Sequence, residues 1–134
     1  MSLSHGVLST LKQLKKQNYM IAIVSDMTTH IQLRKLKKLK ITKYIDYLVT
    51  SEEAGSEKPH SIMFLLALNK LRLKPEEVIM VGDSLISDIE GANSVGIPTA
   101  LIKKGRFYKQ SEESYQKPNI VIKEIPEILD ILKQ

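Results

Sequence analysis

Short apolar runs alternate with segments of helical periodicity along this chain, and that alternation restricts the folds open to it. The segments YMIAIV (19–24), YIDYLVT (44–50), VIMVG (78–82), IPTALI (97–102) and NIVI (119–122) have the length and character of strands. An unbroken apolar run such as YMIAIV suits a strand buried on both faces. Between these runs lie helical stretches. The first spans 6–17, with Val7, Leu8, Leu11 and Leu14 on one face and Asn18 as its end, and the second spans about 28–39. A third opens at Pro59 and carries apolar positions from Ile62 to Leu71, a fourth spans 87–95 and stops at Gly96, and a fifth spans 125–132. Strands alternating with amphipathic helices predict an α/β fold: a mostly parallel, Rossmann-like sheet with right-handed crossovers and helices on both faces. Ligands bind such sheets at the carboxyl ends of the strands. That rule places Ser25 and Asp26, after the first strand, and Asp83, after the third, on one rim.

Length and composition set bounds on function. The 134 residues predict one compact domain over 1–134 with a single core. No apolar run approaches the roughly 18 residues a membrane span requires. There is no cysteine for a disulfide or thiolate metal site, and the opening MSLSHG lacks the charged and apolar regions of a signal peptide, so the expected location is the cytoplasm. The net charge of +5 is concentrated in KQLKK (12–16) and RKLKKLKITK (34–43). In the second cluster Ile31, Leu33, Leu36 and Leu39 are expected to form the buried stripe, leaving the lysines as a solvated face. Nucleic-acid binding is disfavoured, because no aromatic residues alternate with the lysines to stack on bases. His5, His30 and His60 fit no metal-ligand spacing, and His60 reads as a solvent-facing helix start.

Three stretches, with four residues between them, are candidates for chemistry. In MVGDSLISDIEGANSVGI (80–97) Asp83 and Asp88 follow a strand. Carboxylates about 4 Å apart repel by roughly 4 kcal/mol at an effective dielectric near 20, so a close pair needs a cation or a shared proton. Magnesium, held by one or two carboxylates with waters and phosphate oxygens, is the matching ion. A structural alternative also fits: Ser87 and Glu90 as a capping box, with Asp88 in the first helical turn. Ser25 precedes a helix start where a hydroxyl and main-chain N–H groups hold an anion, and a simple cap explains the same residue. Lys58 in SEKPHSIMF offers a fixed positive charge at the opening of the crevice, or is one more exposed lysine.

Taken together and in order, IAIVSDM, SEKPHSIMF and VGDSLISDIEGANSVGIPTALI resemble the second, third and fourth motifs of the haloacid dehalogenase-like hydrolase superfamily. The resemblance covers nearly the whole chain. It implies phosphate binding at Ser25, Asp26 and Lys58, with Lys58 also catalytic through charge neutralisation, and magnesium binding at Asp83 with support from Asp88. It further implies a magnesium-dependent phosphatase acting on a phosphorylated small molecule, with dehalogenase as the alternative chemistry.

One departure is large. Enzymes of this family attack with the first aspartate of an Asp-x-Asp motif on the central strand, forming an aspartyl-phosphate that water cleaves. No Asp-x-Asp occurs in these 134 residues. The chain therefore reads as the part of the core that follows that motif and any cap domain, inactive alone, or as one half of a split enzyme. A non-catalytic binding or scaffold module is the other reading. The missing strand falls between 19–24 and 78–82, so both are expected to expose edges that invite self-association or a partner chain.

Overall fold

The computed structural model describes residues 6–56, 58, 60–103 and 113–133. Its elements follow the expected alternation: α1 (Val7–Lys16), β1 (Ala22–Ser25), α2 (Thr29–Lys38), β2 (Tyr47–Thr50), α3 (Ser51–Ala54), α4 (Ser61–Leu71), β3 (Met80–Gly82), α5 (Glu90–Ser94), β4 (Thr99–Ile102), β5 (Ile120–Ile122) and α6 (Glu127–Leu132). Every strand pairing is parallel. Ser25 stands opposite Thr50, Gly82 opposite Leu101, and Ile102 opposite Ile122.

These ladders form two sheets, β1-β2 and β3-β4-β5, and β1 and β3 share no ladder. The break falls where the sequence places the missing strand. Burial follows from it: every residue of β1 and β3 is only half-buried, whereas Val49 of β2 and Ala100 of β4 are fully buried. Central strands ordinarily bury most, so the inversion marks β1 and β3 as edges.

Helix α4 joins the halves. Its sequence SIMFLLALNKL places Met63, Phe64, Ala67 and Leu68 at the spacing of one helical face. That face forms a buried cluster with Val49, Ala92 and Ile97, against which Val24 of β1 and Met80 of β3 both pack. The two half-sheets are thus held by a shared apolar core instead of by strand hydrogen bonds. His60 caps α4, its Nδ1 accepting the Ile62 N–H at 3.2 Å, while Pro59 and His5 lie outside the described residues.

Helix ends follow their sequence signals. Asn18 ends α1 with φ 67°, and the Tyr19 N–H returns to the Leu14 carbonyl at 3.0 Å. Gly96, at φ 81°, ends α5 in the same way: its N–H reaches the Asn93 carbonyl at 3.1 Å and the Ile97 N–H reaches Ala92 at 3.0 Å.

Two expected faces are corrected. On α2, Ile31 and Leu33 are exposed, while Gln32 and Leu36 are buried. Positions 31 and 33 stand about 200° apart on a helix and cannot share a narrow face, whereas 32, 36 and 39 can. On α1 it is Thr10 that is buried, its hydroxyl donating to the Gly6 carbonyl at 2.7 Å, and Leu8 is exposed. Among the described residues no helix is long and apolar enough to cross a membrane.

Asp46 ties α1 to the entrance of β1 by accepting from Lys15 Nζ at 2.6 Å and from the Ile21 N–H at 2.7 Å. Burial alone would raise the carboxyl pKa, but the hydrogen bonds from Lys15 and Ile21, with the Lys15 charge, leave it lowered. A carboxyl depressed in the folded state adds stability above its unfolded pKa of about 3.9, and that stability is lost as pH falls through the folded value. Denaturant melts between pH 5 and pH 2 are therefore expected to show a shallower acid-side loss for Asp46→Asn than for the wild type. Phe64→Ala, which empties the centre of the cluster joining the half-sheets, is expected to cost about 3–5 kcal/mol in urea unfolding at neutral pH.

Candidate active site

Parallel strands deliver their carboxyl ends to the same side, and each half-sheet places polar groups there. β1 ends at Ser25, whose Oγ accepts the Met27 N–H at 3.1 Å and so folds the chain back toward α2. β2 ends at the buried Thr50, whose Oγ1 accepts the Glu53 N–H at 3.3 Å and lies 2.7 Å from Thr29 Oγ1. The starts of α2 and α3 are thereby fastened together beside Ser25.

The other half-sheet contributes the chain after Gly82. In place of the helix expected from 87, the backbone makes a wide turn at Leu85–Ile89, closed by the Ile89 N–H on the Ser84 carbonyl at 3.1 Å. Ser84, and not Ser87, is the cap: its Oγ accepts the Ser87 N–H at 3.0 Å. The turn directs Asp88 back under the end of β3. There Asp88 Oδ2 accepts the N–H groups of Asp83 and Ser84 at 3.1 and 3.2 Å. Gly82 is required for this approach, because a Cβ there would overlap the Asp88 side chain.

Lys58 connects the halves. Its Nζ donates to Asp88 Oδ1 at 2.7 Å, with side chains only 13% and 7% exposed. Its main-chain N–H donates to Asp26 Oδ1 at 2.8 Å, and the Asp26 carbonyl accepts the Ser51 hydroxyl at 2.8 Å. A continuous chain of polar contacts therefore runs from Ser51 through Asp26, Lys58 and Asp88 to Asp83 and Ser84. It crosses from one half-sheet to the other.

Of the five residues singled out from sequence, Asp26, Lys58, Asp83 and Asp88 belong to this chain of contacts and Ser25 lies beside it. Asp83 is exposed at the rim, Asp88 is buried behind it, Lys58 and Ser25 are half-buried, and Asp26 is exposed with one carboxylate oxygen on Lys58. Sequence reading passed over Ser51, Ser84 and Gly82. Ser51 was open to the same strand-end rule that found Ser25, since it directly follows β2. Two open depressions lie elsewhere: one of about 440 Å³ beside Glu53 and Lys70, and one of about 530 Å³ along the lysines of α2. Neither includes the groups gathered at the rim.

The donor set fits magnesium. Among the described residues no three His, Cys, Asp or Glu side chains converge, so a cage built wholly from protein ligands is not formed here. An exposed Asp83 whose N–H is bonded to the buried Asp88 suits an ion that keeps waters and phosphate oxygens in its shell.

Known proteins resemble this chain in sequence and in fold. A profile of the haloacid dehalogenase-like hydrolases matches residues 1–102. A ribulose-1,5-bisphosphate 5-phosphatase from Halopiger xanaduensis is 47% identical over 114 residues, which are 85% of this chain and 45% of that protein. A glyceraldehyde 3-phosphate phosphatase from Pyrococcus furiosus is 37% identical over 96% of this chain and 54% of its own length. Among solved structures, a HAD phosphatase from Thermococcus onnurineus superposes with a TM-score of 0.86 at 29% identity, over 97% of this chain and 58% of that one. The chain spans about half the length of the curated relatives it matches. By its profile match, its parallel α/β fold and its relatives, the chain belongs to the haloacid dehalogenase-like hydrolase family.

Proposed function

We propose that this chain forms the phosphate- and magnesium-binding part of a phosphatase acting on a small phosphorylated metabolite, a short sugar phosphate being the class its relatives' names suggest. The observation that carries the reading is the placement of Lys58, whose ammonium is held on Asp88 at the rim that also bears Ser25 and Asp83. Ser25 Oγ already accepts from Met27, and its own proton is directed to a phosphoryl oxygen. Lys58 spends one N–H on Asp88 and keeps two for the phosphoryl group and the attacking carboxylate. Asp83, at the exposed rim, is the direct magnesium ligand. Asp88, with both oxygens engaged by Lys58 and the 83–84 amides, supports that ligand from behind. The bound ion supplies charge neutralisation for the transferred phosphoryl group.

The attacking carboxylate is not among these residues. With no Asp-x-Asp in the sequence, the chain binds but does not turn over, and the strand that completes the enzyme enters between β1 and β3.

Isothermal titration with inorganic phosphate in the presence of Mg²⁺ is expected to detect binding that Ser25→Ala weakens about 10-fold and Lys58→Met by about 10- to 100-fold. No release of nitrophenol from p-nitrophenyl phosphate is expected from the chain alone. Mg²⁺-dependent turnover would refute the inactivity, and absence of phosphate binding would refute the site. The two aspartates are expected to separate cleanly. Asp88→Ala leaves the Lys58 ammonium buried without its partner and costs about 3–5 kcal/mol in urea unfolding. Asp83→Ala is expected to abolish the Mg²⁺ enhancement of phosphate binding.

A further inference from the structure

We infer that Asp26 is a positioning residue, whose carboxylate fixes the segment carrying Lys58 and does not itself contact phosphate. The inference builds on the site reading above and assigns one of its residues a different task. Asp26 stands at the junction of three elements. It follows β1 directly, its carbonyl accepts the Ser51 hydroxyl at the start of α3 at 2.8 Å, and its Oδ1 accepts the Lys58 N–H at 2.8 Å, 32 residues further along the chain. The turn closed by Met27 N–H on Ser25 Oγ at 3.1 Å fixes the backbone on either side of it.

The chemistry of the group favours this task. An ionised carboxylate only accepts hydrogen bonds, so it has nothing to donate to a phosphoryl oxygen, and its charge repels a phosphate anion placed beside it. A main-chain N–H is the partner it can serve. Lys58, moreover, needs to be held at both ends. Its ammonium reaches across to Asp88 on the β3 side, while its backbone is attached through Asp26 to the β1 side. Without Asp26 the ammonium keeps its partner, but the backbone from which it projects loses its tie to the half-sheet that carries Ser25. The distance between the Ser25 hydroxyl and the Lys58 ammonium, on which joint recognition of one phosphate depends, is then no longer set.

The test uses the whole 134-residue chain. Hydrogen exchange of the Lys58 amide is followed by NMR in the wild type, Asp26→Asn, Asp26→Ala and Ser25→Ala, and each is titrated with inorganic phosphate and Mg²⁺. Asp26→Ala is expected to speed exchange at Lys58 by about 10-fold or more and to weaken phosphate binding about 10-fold, the scale of one lost hydrogen bond. Asp26→Asn keeps an acceptor oxygen and is expected to preserve both protection and affinity. Ser25→Ala is expected to weaken phosphate while leaving Lys58 protected. Unchanged Lys58 exchange in Asp26→Ala overturns the inference, as does an equal loss of phosphate affinity in Asp26→Asn and Asp26→Ala. A wild type that binds no phosphate removes the site reading, but the Lys58 exchange pattern still decides whether Asp26 holds that segment.

Discussion

A lysine ammonium taken out of water beside a carboxylate is tolerable only if both partners are paired and their remaining hydrogen-bonding capacity is met. Lys58 and Asp88 are paired, and both oxygens of Asp88 are engaged, so much of the local structure serves that carboxylate. Asp88 reaches Lys58 because the wide turn at 85–89 swings it under β3, because Gly82 leaves room, and because the amides of Asp83 and Ser84 take its second oxygen. Lys58 itself is bonded at both ends, its ammonium to Asp88 and its main-chain N–H to Asp26. The Asp83 N–H is one of the two amides on Asp88, so the backbone of the residue proposed to meet the metal is tied to the buried acid behind it.

The split sheet places unusual weight on side chains. In a continuous parallel sheet, ladder hydrogen bonds would relate the end of β1 to the end of β3. Here that relation is carried on one face by the apolar cluster of α4, which touches Val24 and Met80 alike, and at the rim by Lys58. The two ties differ in character. The first is non-directional and tolerates a few tenths of an ångström of sliding, whereas the second is a set of short polar contacts that fixes a distance.

How far the sequence revealed this depends on the kind of signal. Element order, parallel pairing and the location of the gap were legible, because unbroken apolar runs and helix stops such as Asn18 and Gly96 act locally. The rim was legible from a topological rule that needs only strand ends. What escaped was set by non-local contacts. Nothing near Asp26 in sequence announces a bond to a backbone amide 32 residues away, and nothing in SLISDI announces that the turn is wide enough for Asp88 to point inward. The face of α2 differs for a simpler reason: apolar character at 31 and 33 does not select a face, because burial comes from what the helix packs on, and Gln32 is on that side.

That distinction bears on how the two aspartates of a Gly-Asp-x₄-Asp segment should be read. Their spacing alone suggests two equal ligands for one ion. The geometry makes them unequal: Asp83 is exposed, whereas Asp88 is buried with its oxygens bonded to Lys58 and to the 83–84 amides. A carboxylate already neutralised by an ammonium repels a neighbouring carboxylate less than a bare one does, so Asp88 does not need the ion for its own stability. The need for a cation falls instead on the rim, where Asp83 and an incoming phosphate would otherwise face each other with like charge. In the proposed site the lysine makes the buried acid tolerable by itself, and metal and phosphate would meet at Asp83.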